Sequence, residues 1–171
     1  MKLYRVILRV LIGGLFVGHG TQKLFGWFGG NGLDGTSGFF EQLGLKPGKR
    51  NAIAAGAAEA GGGALLATGA ALPLAGAALT GTMTTAIRRV HGAKGPWTTD
   101  GGWEYNAVLI AATLAIVEDE WGTAWALLAA AAGVTGSFAV TQLGARETQP
   151  EEEFEAVPFE SGERVPEPAQ A

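Results

Sequence analysis

Residues 51–87 read NAIAAGAAEAGGGALLATGAALPLAGAALTGTMTTAI, thirty-seven positions with one charged side chain, Glu59. From Ala60 to Ile87 there is no charge over 28 positions. A bilayer core of about 30 Å is crossed by roughly 20 apolar residues in a helix. The stretch is therefore too long for one crossing and fits two short ones, turned back on each other near Pro73. The spacing predicts helices at about 51–71 and 74–92. A soluble bundle needs a charged outward face on each helix, and runs of this kind cannot supply one.

The same rule extends outward. Val6 to Gly20 is apolar except for Arg9 and His19 and, with its flanks, makes a first helix at about 4–25. Tyr105 to Val117 is uncharged over 13 positions and predicts a helix at about 103–118. Trp121 to Ala145 is uncharged over 25 positions and predicts one at about 122–142. The expected fold class is all-α: a membrane-spanning bundle of four core helices plus a fifth, over residues 1–145. The loop at 26–50 is expected to be an interfacial cap, with Trp27 and Phe28 at headgroup level and a single half-buried turn around Phe39, Phe40, Leu43 and Leu45. The first apolar run ends in His19-Gly20-Thr21-Gln22-Lys23 rather than in a small-x-small cleavage site, so that helix is expected to be retained.

Composition agrees with this reading. Charged residues make up 16% of the 171, against about 25% in an average soluble domain. The net charge of -4 hides two populations: residues 146–171 hold two Arg and eight Glu, while the rest of the chain is slightly basic. That Glu- and Pro-rich tail is expected to be disordered, and its sign argues against nucleic acid as a partner. The absence of cysteine excludes a disulfide, a thiol nucleophile and cysteine-ligated iron–sulfur clusters. Small residues crowd the apolar runs (Gly14, Gly18, Gly56, Ala60, Gly62, Gly63), which in lipid lets helix backbones approach closely.

Ionisable groups fall at particular helix ends. His19, Gln22 and Lys23 lie near the end of the first helix, with His19 and Lys23 on one face. Glu59 lies about eight residues inside the second, or ~12 Å deep. Arg88, Arg89 and His91 end the third helix; Glu104 and Asn106 open the fourth. Alternating helix directions bring all of them to one side of the membrane, leaving Lys2, Arg5, Arg9 and the acidic run Glu118-Asp119-Glu120 on the other. His19, Lys23, Glu59 and Glu104 are expected to converge in one polar pocket among the first four helices. Ionisable side chains within a membrane are functional candidates by default. Arg88, Arg89 and Lys23 read either as pocket cations or as headgroup anchors. Glu59 is too deep to reach water easily and is either protonated or paired with a cation. His19 and His91 also admit a bis-histidine haem, although they lie at different depths. Gly30-Asn31-Gly32-Leu33-Asp34-Gly35 is a literal GxGxxG, but it follows a membrane helix rather than a strand, so it does not read as a dinucleotide site.

The stretch Gly18-His19-Gly20-Thr21-Gln22-Lys23-Leu24-Phe25-Gly26-Trp27-Phe28-Gly29-Gly30, with Gly35-Thr36-Ser37-Gly38-Phe39-Phe40 and Leu43-Gly44-Leu45, closely resembles the DoxX family. So do Glu59 with Gly62-Gly63, and Gly101-Gly102-Trp103-Glu104-Tyr105-Asn106. The likeness covers about residues 4–118. It implies a four-helix integral membrane protein, in a family whose name comes from a membrane thiosulfate:quinone oxidoreductase and some of whose members are linked to membrane redox and thiol-stress assemblies. On that likeness His19, Lys23, Glu59, Glu104 and Asn106 are the implied site. The implied chemistry is binding of a quinone headgroup or small anion, with proton movement.

Two functional classes are compatible with these residues: a redox-associated, quinone-linked membrane subunit, or a non-catalytic scaffold or small-solute carrier. Quinone is the one cofactor expected, and no metal is. The expected partners are the lipid bilayer, a membrane or peripheral redox protein and a second copy of the chain. The expected location is the plasma membrane, crossed several times. Basic residues near helix ends favour the polar side and the tail facing the cytoplasm.

Overall fold

A computed structural model describes residues 2–146; the acidic tail expected from 146 onward lies, after its first residue, outside the described residues. Helix α1 runs Leu3–Phe25 and ends at Gly26, whose φ of 73° lets its N–H return to the Gln22 carbonyl. After a short 3₁₀ turn at Trp27–Gly29 comes α2, Gly32–Gln42. Helix α3 is Gly48–Thr68 and α4 is Leu72–Ala86, with Pro73 in its first turn, where a missing N–H costs nothing. A π-turn at Ile87–His91 and two 3₁₀ turns lead to α5, Glu104–Trp121, and Gly122 alone joins it to α6, Thr123–Arg146. The described residues contain no strand.

The expected all-α class is what forms, with differences in detail. Instead of one turn at Phe39–Leu45, an eleven-residue helix, α2, packs on α3 and α1. Gly32, Gly35 and Gly38 mask its propensity in the sequence, while Asp34 in the first turn favours the helix N-terminus. Helix α3 starts and ends about three residues early. Helix α4 is fifteen residues long and passes into the π-turn, so the expected 74–92 helix is two kinds of winding.

Two helices are long and apolar enough by themselves to cross a membrane, Leu3–Phe25 and Thr123–Leu143. Helix α3 is built mainly of Ala and Gly, α4 is short, and α5 ends in Glu118-Asp119-Glu120, and none of these three meets the same measure.

Packing follows the glycines. Helix α1 lies against α3, and α4 against α6. A Cβ on Gly13 would stand 2.5 Å from the Gly63 carbonyl oxygen, and one on Gly63 would stand 2.6 Å from that of Gly13. The two backbones are thus in direct contact, the geometry small residues permit. Gly133 plays the same part between α6 and α4, its Cβ position 2.6 Å from the Ala77 oxygen. Phe16, Leu66, Leu72, Leu79 and Val117 fill the centre. By contrast, Ile7, Leu11 and Leu15 of α1 and Leu127, Leu128 and Phe138 of α6 face outward. Bulky apolar side chains on the outside of a bundle are what lipid solvates and water does not.

Candidate ligand site

Helices α1 and α3 cross closely enough for Lys23 to reach Glu59: Nζ to Oε2 is 2.5 Å. The Glu59 side chain is 4% exposed and that of Lys23 is 27% exposed. A carboxylate so buried requires a cation, and the pair is held by the glycine contacts beneath it. One turn earlier on α1, His19 Nδ1 lies 3.2 Å from Gln22 Oε1, and the Gln22 amide donates to the Phe28 carbonyl at 3.4 Å.

These groups border a cavity of 630 Å³. His19, Lys23 and Glu59 line it from α1 and α3. Arg89 and His91 reach it from the π-turn, and Asn106 from α5. His91 Nδ1 is 2.7 Å from the Gly101 carbonyl oxygen. A carbonyl only accepts, so Nδ1 carries the proton and the lone pair of the neutral ring lies on Nε2. The buried Asn106 amide points at Met83 Sδ, 3.4 Å away. The remaining wall is largely Ala, Gly and aromatic or aliphatic side chains, including Phe39 and Phe40 of α2. A volume of this size, mostly apolar with a few convergent polar groups, is the usual form of a small-molecule site.

Of the residues singled out in the sequence, His19, Lys23, Glu59, His91 and Asn106 come together on this cavity. Gln22 stands behind His19 rather than on the wall. Glu104 does not line it: its Oε1 accepts the Thr98 N–H at 2.6 Å and pins the loop before α5. Arg88 is turned away, lying 3.6 Å over the Phe138 ring and donating to Ser137 and Thr141 at 3.3 Å. Adjacent helical residues point about 100° apart, so Arg88 and Arg89 cannot share a face, and Arg89 takes the cavity side.

The sequence reading missed three features. Asn51 and Tyr105 line the cavity, and α6 supplies a wall through Gly133 and Gly136. The missed signal for α6 was its small-residue spacing, Ala129-x-x-x-Gly133 followed by Gly136, of the kind already read in α3. At the opposite end, Arg5 Nε meets Asp119 Oδ2 at 2.6 Å, and Arg9 meets Glu120 at 2.9 Å with the Arg9 side chain 7% exposed. Tyr4 adds a hydroxyl to Asp119 at 3.2 Å. Matching basic and acidic triplets on that side could have identified this clamp. No cluster of three or more His, Cys, Asp and Glu able to hold a metal occurs among the described residues.

The DoxX family model matches residues 5–92, from the start of α1 through the π-turn. No curated protein and no solved structure matches the chain.

Proposed function

The chain belongs to the DoxX family and is a small membrane protein, and on that premise we propose that it binds a membrane quinone as the membrane subunit of an oxidoreductase. The observation that carries this reading is the buried Lys23–Glu59 pair at the edge of a mostly apolar cavity that His19 and His91 also line. A quinone ring needs apolar faces around it and hydrogen-bond donors at its carbonyl oxygens. The Lys23 ammonium is a donor in reach of the cavity, and Glu59 holds it there. His91, with Nδ1 fixed on Gly101, offers Nε2 to a ligand in the cavity. Arg89 adds positive charge that favours a ring gaining electron density.

Quinone, when bound, supplies a carrier of two electrons and two protons. In this reading the electrons come from a partner protein with its own redox group. Lys23, Glu59 and His91 handle the two protons.

In this reading the protein sits in the plasma membrane and crosses it several times. Exposed aromatic residues at both ends of α5 support a crossing there: Trp103 and Trp121 are separated by eighteen residues, or about 27 Å of helix. The test is mass spectrometry of the organic extract of purified protein, followed by titration with added quinone. The expected result is co-purifying quinone at near-equal molar amount, lost in Lys23→Met. No quinone in the extract together with no binding of added quinone overturns the reading and leaves a scaffold or solute carrier.

A further inference from the structure

The cavity is longer than a ring requires. Along α4 its wall runs from Leu74, near the far end of the bundle, to Ala86 beside the π-turn. Twelve residues of helix are about 18 Å, more than half of a ~30 Å bilayer core. The polar groups are confined to one end. Beyond them the wall carries small side chains, Ala77, Ala78 and Gly81 of α4 and Ala132 of α6, beside Leu74 and Leu109; Gly136 stands next to Ser137, which bonds Thr85, at the boundary between the two parts.

Small side chains are not a general property of these helices. Elsewhere α6 presents Leu127, Leu128, Val134 and Phe138 to the outside. On the cavity side it presents Ala132, Gly133, Gly136 and Ser137, with Val140 at the polar end, and a Cβ on Gly136 would meet nothing within 4 Å. The floor is closed where Gly133 rests on Ala77, but the side is open, since Leu74 at the far end is 63% exposed. The cavity thus extends from the Lys23–Glu59 end along α4 to Leu74 at the outer surface.

We infer that this extension is a groove for the alkyl or isoprenoid tail of the quinone, entered sideways from the bilayer. The inference rests on the quinone reading for the identity of the head. The groove itself is defined by α4 and α6. Helix α4 lies within the residues matched by the family model and α6 outside them, so the groove is shared between the matched core and a helix beyond it.

The experiment compares two ligands with one ring, dimethoxy-methyl-benzoquinone without a tail and the same ring carrying a decyl chain. Both are titrated into wild-type protein and Gly136→Phe in the same detergent. Gly136 has open space for a Cβ and lines the cavity from within α6, so the substitution sets a ring against the groove. The expected result is at least a tenfold loss of affinity for the decyl compound, with the tailless compound unchanged. Equal loss for both, or loss for neither, overturns the groove.

A second measurement covers the case in which neither ring binds, which refutes the quinone head separately. An alkyl diazirine in a bilayer is photolysed with the protein and the labelled peptides are mapped. Label on 77–82 and 132–136, reduced in Gly136→Phe, supports a tail groove. Label spread evenly over α1 and α6 overturns it. A diazirine phospholipid labelling the groove undisplaced by the decyl quinone also overturns it, since the groove would then hold structural lipid.

Discussion

Replacing Lys23 by methionine keeps the stem of the side chain and removes its charge. Glu59, 4% exposed, is then a carboxylate without its cation inside the bundle. Breaking a buried pair from one side costs about 3–5 kcal/mol, because the remaining charge stays desolvated. For a chain of this length each kcal/mol moves the melting temperature by about 2–4 °C, so Lys23→Met should melt roughly 6–20 °C lower. The reverse change is not equivalent. Glu59→Gln leaves an ammonium that is already 27% exposed, on a flexible stem able to turn toward water, and its cost should be near 1 kcal/mol. Replacing both by apolar residues of similar volume removes the desolvation penalty with the attraction and should recover most of the loss. The assay is circular dichroism through a titration of denaturing into mild detergent, on all four proteins. A Glu59→Gln variant as unstable as Lys23→Met would refute the reasoning, because the asymmetry follows only from the unequal burial.

The clamp at the other end should show the same dependence on burial. Arg9→Met, at a side chain 7% exposed, should destabilise by about 3 kcal/mol, whereas Arg5→Ala, at a side chain 28% exposed, should move the same titration far less. The glycines divide similarly: Gly63→Ala forces a methyl onto the α1 backbone and should cost about 1–3 kcal/mol. Gly18→Ala meets open space and should be neutral or gain up to about 1 kcal/mol of helix propensity, as read by its unfolding midpoint.

The helical segments were legible because uncharged runs and Pro73 are local signals, and local signals survive without knowledge of packing. The closeness of α1 to α3 was legible on the α3 side in Gly56 and Gly63, but on α1 it is Gly13 and Gly20 that make the contact, whereas Gly14 and Gly18 face open space and Gly62 faces α4. Alternation of helix direction was enough to bring Lys23 to Glu59. It could not separate Arg88 from Arg89, because that depends on the rotation of a π-turn rather than on which end of the bundle a residue occupies. Nor could it keep Glu104 from the cavity, since its choice of Thr98 is set by a 3₁₀ turn of three residues. Helix α2 was hidden by its three glycines, and its stability comes from contact with α3 rather than from propensity. The clamp joins residues more than a hundred positions apart, a distance over which only charge sign offered a hint.

That separation bears on how the protein is made. Arg9 and Glu120 are 111 residues apart, and synthesis at about 5–20 residues per second puts roughly 6–22 s between them. Lys23 waits only about 2–7 s for Glu59, 36 residues on. The first helix therefore enters the membrane carrying two guanidinium groups whose acidic partners do not yet exist. The Lys23 end of α1 can thus pair with α3 well before the Arg5 and Arg9 end has its acidic partners at the close of α5, so the order of synthesis favours assembly from one end of the bundle toward the other.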